Sequence, residues 1–261
     1  LVQPVSVLRK LRLYLQFYDH IKAMRASSDL TVMTDDGTKG DRVLKYLRQR
    51  HSGEIRFLKN GVDSPQLAYV NQTYQKYHAD GDIVFSSVSR LQSWKRVDRS
   101  IEIFAKFKSR FNNSHYYIVG DGPEIENLKE LAYQKGLHGS VSFLGAQEKH
   151  QIYGLLKDTK YFLSSYELSN LGNPLFEAIS CGAIVVTLNN GNTSEMIVDG
   201  VTGLLSDEHD FTENALKLIE CESSPDSAAA MRAAAKDHLA TNFESWNQRM
   251  EREYDALKIL L

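Results

Sequence analysis

The stretch Tyr166-Glu167-Leu168-Ser169-Asn170-Leu171-Gly172-Asn173-Pro174-Leu175-Phe176-Glu177-Ala178-Ile179-Ser180-Cys181-Gly182-Ala183-Ile184-Val185-Val186 decides the fold. It reads as the exit loop of a buried strand, then a short helix, a small-residue turn and a second buried strand. Tyr161-Phe162-Leu163-Ser164 supplies the strand before it. Pro174 suits a first helical turn, where its missing N–H costs nothing. A loop feeding a helix N-terminus offers unbonded N–H groups and the positive end of the dipole, a ready site for a phosphate. Glu177 follows one turn in, among Leu175, Phe176, Ala178 and Ile179. A carboxylate on so apolar a helix needs a partner, and ribose hydroxyls at a cleft would serve.

The same alternation extends outward. Strands are expected from Ile83, at Tyr116–Val119, Val141–Leu144 and Ile184–Thr187. The helices between them are expected at Ser100–Arg110, Ile125–Gln134, His150–Lys157 and Asn173–Ser180. Continuous apolar strands joined by helices indicate a parallel sheet covered on both faces, so residues 82–205 read as a doubly wound α/β domain. After Gly203-Leu204-Leu205 the pattern is helical: Phe211–Glu220, Ala228–Leu239 and Trp246–Leu260. Before the domain, Val5–Ala26 has helical spacing, Leu30–Met33 and Ile55–Leu58 read as short strands, and Lys39–Arg50 as a helix. Asn60–Pro65 is a turn and linker, and Leu67–His78 is read as helical.

Of 261 residues, 42% are hydrophobic and 25% charged, as in a soluble globular protein. No apolar run reaches membrane-spanning length. The net charge of −2 gives no nucleic-acid signal. Residues 1–60 carry twelve Lys and Arg against six Asp and Glu, including Arg9, Lys10, Arg12, Lys22 and Arg25, which a solvated helix face explains best. Cys181 and Cys221 give neither metal spacing nor a disulfide framework, so a cytoplasmic setting is expected. The eight histidines make no ligand pair at helical spacing, and no metal is expected.

In a doubly wound sheet, ligands sit beyond the carboxyl ends of the strands. The first such loop, Ser89-Arg90-Leu91-Gln92-Ser93-Trp94-Lys95-Arg96, is either a solvated turn or a pair of cations, Arg90 and Lys95, gripping a diphosphate. Gly120-Asp121-Gly122-Pro123 resembles half of a dinucleotide fingerprint; with the third glycine absent, a structural turn is the better reading. Gly145, after Phe143 and Leu144, would let the backbone approach a flat ligand, with Phe143 kept for packing. In Asn189–Glu195, Ser194 reads as the cap of a short helix, and Glu195 as a brace for a neighbouring loop.

Taken in order, Ser89-Arg90-Leu91…Lys95, Ile118-Val119-Gly120-Asp121-Gly122-Pro123, Val141–Gly145, Asn173-Pro174-Leu175-Phe176-Glu177-Ala178…Cys181-Gly182-Ala183 and Glu195…Asp199–Leu205 resemble the retaining nucleotide-sugar glycosyltransferases of family 4, the group 1 glycosyltransferases. Ser28–Met33 and Phe57–Asp63 resemble that family's link between its two domains.

The resemblance implies a GT-B fold, in which two Rossmann-like domains face each other across a cleft. It divides this chain into a remnant of the N-terminal acceptor domain (1–62), a Rossmann-like donor domain (63–242) and a C-terminal helix crossing back (243–261). Residues 1–60 lack that acceptor domain's opening Gly-rich segment, which implies a shortened chain that binds donor but transfers poorly alone.

Carried over by motif, Arg90 and Lys95 bind the donor diphosphate and Glu177 the ribose hydroxyls. These three form the expected catalytic set. Gly120, Gly122, Leu144, Gly145, Ser169, Gly172, Asn173 and Leu175 complete the donor site. The implied reaction is hexosyl transfer, with retention, from a nucleoside diphosphate sugar such as a UDP-sugar to a glycan or lipid-linked acceptor. The setting would be polysaccharide or glycolipid assembly, in the cytoplasm or at the inner face of the membrane, with no cofactor.

One departure stands out. The family's Glu-x7-Glu motif would place its first Glu at Ser169, and Glu167 lies two residues too early. Either Ser169 takes the position or the loop shifts to bring Glu167 in. Alternatives are a non-catalytic sugar-nucleotide-binding domain and a GT-B sugar-nucleotide epimerase; base, sugar, acceptor and oligomeric state stay open.

Overall fold

The computed structural model describes residues 7–16, 18–26, 28–35, 37, 40, 53–62 and 74–259. Strands β3 (Ile83–Val88), β4 (Ser114–Val119), β5 (Val141–Gly145), β6 (Tyr161–Ser164), β7 (Ile184–Leu188) and β8 (Leu204–Ser206) form a six-stranded sheet in the order β5-β4-β3-β6-β7-β8. All its pairings are parallel. The chain winds outward from β3 to β5, returns beside β3, and winds outward again to β8. The direction of winding therefore reverses between β3 and β6, the switch point where a doubly wound sheet opens a crevice.

Side-chain alternation loads both faces. Phe85, Tyr116, Ile118, Tyr161, Leu163, Ile184 and Val186 point to one side. There they meet α3 (Val97–Lys108), α4 (Ile125–Gln134) and α7 (Glu213–Glu222). Phe85 stands at the centre of an aromatic group, its ring 4.9 to 5.1 Å from those of Phe104, Phe107 and Tyr161. On the other side Phe162 and Val185 meet α5 (Lys149–Asp158), α6 (Asn173–Cys181) and α8 (Pro225–Asn242). Helix α6 has Pro174 in its first turn and ends on Gly182 at φ 94°, the pairing of start and stop residues the sequence suggests.

Preceding the sheet, α1 (Val7–Gln16) and α2 (Tyr18–Arg25) are helical where the sequence over Val5–Ala26 has helical spacing. Strands β1 (Leu30–Thr34) and β2 (Glu54–Leu58) form a separate parallel pair. The last helix, α9 (Trp246–Lys258), returns to this region: the Arg249 Nε donates to Lys59 O at 2.9 Å, and Val62 N to Glu244 O at 2.8 Å. Among the described residues no helix is long and apolar enough to cross a membrane.

Several expectations need correction. The helix over Lys39–Arg50 lies outside the described residues except for Gly40, which is helical. Of Leu67–His78, only Tyr74–His78 is described, and it is not helical. The backbone N–H groups of Tyr77 and His78 instead donate to the Tyr117 hydroxyl at 2.7 and 3.1 Å. Helix α3 starts at Val97, not Ser100, whose hydroxyl meets that of Ser165 at 3.1 Å inside the protein. Helix α8 starts at Pro225, the position a proline tolerates best.

Candidate functional site

The β3 exit is stitched to the β4 exit. Ser89 N donates to Val119 O, Leu91 N to Asp121 O, and Glu124 N to Leu91 O, at 2.8 to 3.1 Å. Fully buried Leu91 anchors this turn, which leaves Arg90 exposed at its crest. Gly120 and Gly122 permit the close approach: a Cβ on Gly120 would lie 1.8 Å from Ser89 O, and one on Gly122 2.3 Å from Leu91 O. Both glycines thus have a structural role, and what they brace is the Arg90 turn.

Lys95 closes a single 3-10 turn, Ser93–Lys95, and is partly buried. Its Nζ lies 3.5 Å from the Tyr166 ring centroid and 4.1 Å from that of Trp94. Burial, and then the charge of Arg90, lower its pKa to about 8. Among the described residues neither Arg90 nor Lys95 forms an ion pair. Two cations thus share one strand exit, close enough to repel, with no carboxylate to balance them.

The β6 exit faces this turn. Glu167 N donates to Trp94 O at 3.0 Å, and the buried Tyr166 hydroxyl donates to Val88 O at 3.2 Å. Burial pushes the Tyr166 phenol up to about 12. Arg96, the one non-glycine at positive φ (46°) among the described residues, clamps the two loops. Its guanidinium reaches Asp98 at 2.9 Å and Glu167 at 3.2 Å. Glu167 is thus held by Arg96. The Ser169 hydroxyl accepts from Leu171 N at 3.2 Å and lies against Gly191.

Asn170 organises the rest of this loop and is 1% exposed. Its Oδ1 accepts from the Ser164 hydroxyl at 2.7 Å and Tyr166 N at 2.9 Å; its Nδ2 donates to Asn190 Oδ1 at 2.8 Å. Asn190 in turn donates to Tyr166 O. Neither asparagine is marked by the sequence pattern, because each acts through a contact with a distant loop. Asn170→Ala strands at least one buried donor and one acceptor and is expected to destabilise the fold by about 2–3 kcal/mol. Urea unfolding measures this, and a loss below about 0.5 kcal/mol would rule out the network as a structural element.

Beyond the loop, the amides of Gly172 and Asn173 have no hydrogen-bond partner among the described residues and cap α6 with free donors. Leu175 is 1% exposed, its side chain in the core and its N–H bonded to Gly172 O, so it offers a ligand little surface. The Glu177 side chain is 17% exposed, with Lys149 Nζ 3.9 Å away at the start of α5. Leu144 is half-buried at the end of β5, and Gly145, at φ 66°, has open space where a Cβ would be. Its carbonyl accepts from Gly120 N at 2.8 Å. Phe143 packs into the core.

The β7 exit corrects one reading and supports another. Ser194 does not cap; Thr193 does the local work, its hydroxyl donating to Asn190 O at 2.6 Å. Glu195 braces, pairing with Lys59, and Asn192 Nδ2 donates to Asp35 Oδ1 at 3.2 Å. Contacts with residues before residue 62 therefore continue, through Asn190 and Asn170, into the loop facing Lys95.

Comparison with known proteins places the family and the fold. The family described as "Glycosyl transferases group 1" matches residues 71–238. A GDP-mannose-dependent alpha-(1-6)-phosphatidylinositol monomannoside mannosyltransferase of Mycobacterium tuberculosis is 24% identical over 83% of this chain and 60% of its own length. The lipopolysaccharide core biosynthesis glycosyltransferase LpsE of Rhizobium meliloti is 29% identical over 71% of this chain and 52% of its own. Anabaena HepE, solved with UDP and glucose, superposes with a TM-score of 0.75 at 17% identity, over 94% of this chain and 67% of its own. The chain thus spans about 60% of the length of the mycobacterial relative.

Proposed function

The chain belongs to the group 1 glycosyl transferases with a GT-B type fold, and on that premise we propose that it forms the donor half of a glycosyltransferase. The donor would be a nucleoside diphosphate sugar, of the UDP-sugar type, and the sugar would pass with retention to a glycan or lipid-linked acceptor. The single observation that carries this reading is the unbalanced pair Arg90 and Lys95 at the β3–β6 switch point, where the β6 exit also leads to the free amides of Gly172 and Asn173.

Breaking the bond from the anomeric carbon to the donor's outer phosphate leaves its electron pair on the diphosphate. Arg90, Lys95 and the N-terminus of α6 place positive charge where that negative charge grows, and no metal ion is needed for it. Glu177 would hold the ribose hydroxyls, with Gly145 and Leu144 beside the flat base. The first-Glu position falls to Ser169, since Glu167 is engaged with Arg96. Lipid and lipopolysaccharide acceptors among the relatives favour glycolipid or polysaccharide assembly at the inner face of the membrane.

The test is calorimetric titration with UDP, GDP and ADP. Saturable binding of one of them is expected, with a pH signature. A diphosphate raises the pKa of Lys95, which the free protein holds at about 8. Binding above pH 8 therefore takes up a proton, and affinity falls by up to about tenfold per pH unit there. Absence of binding by all three would overturn the reading. Binding without proton uptake in buffers of different ionisation enthalpy would remove Lys95 from the site.

A further inference from the structure

The opposite end of the sheet carries a second group of cations. A cavity of about 790 Å³ opens beneath the amino-terminal ends of β3 and β6, bounded by Asp82, Lys157–Lys160, Gly182 and the α8 residues Arg232 and Lys236. Arg232 and Lys236 stand one turn apart on one helix face, a spacing at which like charges repel. Three nearby carboxylates have hydrogen-bond partners of their own. Glu222 accepts from Lys160 and the Tyr161 hydroxyl, both at 2.7 Å. Asp158 holds Lys76 at 2.8 Å and the Tyr74 hydroxyl at 2.9 Å. Asp82 accepts from Ala79 N at 2.9 Å. Arg232 Nε is buried without a partner, and neither Arg232 nor Lys236 forms an ion pair among the described residues.

Gly182, at φ 94°, lies against the end of the Lys236 side chain, with the Nζ 3.4 Å from where a Cβ would stand. The adjacent Cys181 thiol is pushed up to about 11 by burial and by Glu177, so no thiolate competes for these cations at neutral pH.

We propose that this cavity is a second anion site, taking a phosphate group from a small phosphate ester or a lipid headgroup between Arg232 and Lys236. Arg contributes a fork and Lys a point charge, the pairing that suits a phosphate dianion. The site lies at the opposite end of the strands from the Arg90 and Lys95 turn.

Titration of the isotope-labelled full chain with inorganic phosphate, followed through the Gly182 and Lys236 amide resonances, tests it. Saturable shifts are expected at these amides, with affinity at least tenfold weaker in Lys236→Gln and no saturation in Arg232→Gln/Lys236→Gln. Lys236 is exposed, so its single variant stays informative if the double variant folds poorly. Non-saturating shifts, or a binding curve unchanged in Lys236→Gln, would overturn the proposal. Co-sedimentation with phosphatidic acid vesicles separates the sources. Retention that depends on Arg232 and Lys236 assigns a lipid headgroup, and saturation by phosphate without retention assigns a soluble ester.

Discussion

Arg90→Ala is expected to weaken nucleoside diphosphate binding by about 10- to 100-fold, the value of one charge-assisted contact of roughly 1.5–3 kcal/mol. On the proposed mechanism kcat/KM for sugar transfer should fall further, by about 10²- to 10³-fold, because the charge Arg90 would meet is largest in the transition state. Stability should hardly change, within about 0.5 kcal/mol, since Arg90 is exposed and Leu91, not Arg90, anchors the turn. A second readout is local. Arg90 helps to lower the Lys95 pKa, so its removal should raise that pKa above about 8. Arg90→Lys keeps the charge but loses the fork and should fall between wild type and alanine. Transfer within threefold of wild type in Arg90→Ala would remove the diphosphate from this turn. Lys95→Met should resemble Arg90→Ala, and the two effects should not add, because both cations grip one group.

How much of this was legible in the sequence follows from the range over which each feature acts. The β–α alternation was readable because strand and helix periods are local, and α6 because Pro174 and Gly182 punctuate it within one chain segment. The Arg90/Lys95 turn was readable as a candidate for the same reason. Tyr74–His78 departs from the helical expectation although Tyr74, Tyr77 and His78 fall at helical spacing. Its N–H groups are satisfied instead by Tyr117, some forty residues away. Asn170 was invisible: its partners Ser164 and Tyr166 are near in sequence, but Asn190 and Thr193 lie beyond another helix and strand. The Glu167 alternative was likewise undecidable from spacing, and only the reach of Arg96 across the switch point shows that the carboxylate is engaged.

Gly120→Ala is expected to cost more than about 4 kcal/mol, a loss reserved for a few mechanisms that include backbone collision and a forbidden φ. Both act here. Gly120 sits at φ 127°, and its added Cβ would lie 1.8 Å from Ser89 O and 2.8 Å from Ser89 C. These are backbone atoms, so no side-chain rotation relieves the overlap; the β3 and β4 exits must separate. Separation breaks the ladder from Ser89 N to Val119 O and from Leu91 N to Asp121 O, and unseats Leu91 from the core. Gly145→Ala is the matched control. It too has positive φ, 66°, but nothing lies within 4 Å of the added carbon. Its expected cost is the conformational strain alone, about 1–2 kcal/mol. The difference between the two variants in urea unfolding isolates the collision. In thermal unfolding the same difference should appear as a melting temperature lower by roughly 5–10 °C in Gly120→Ala than in Gly145→Ala, for a domain of this size. Equal losses would mean that the two strand exits are free to move apart, and that Arg90 is not held by the β4 turn. The same separation carries Arg90 away from Lys95, so any folded Gly120→Ala protein should also bind nucleoside diphosphate as weakly as Arg90→Ala.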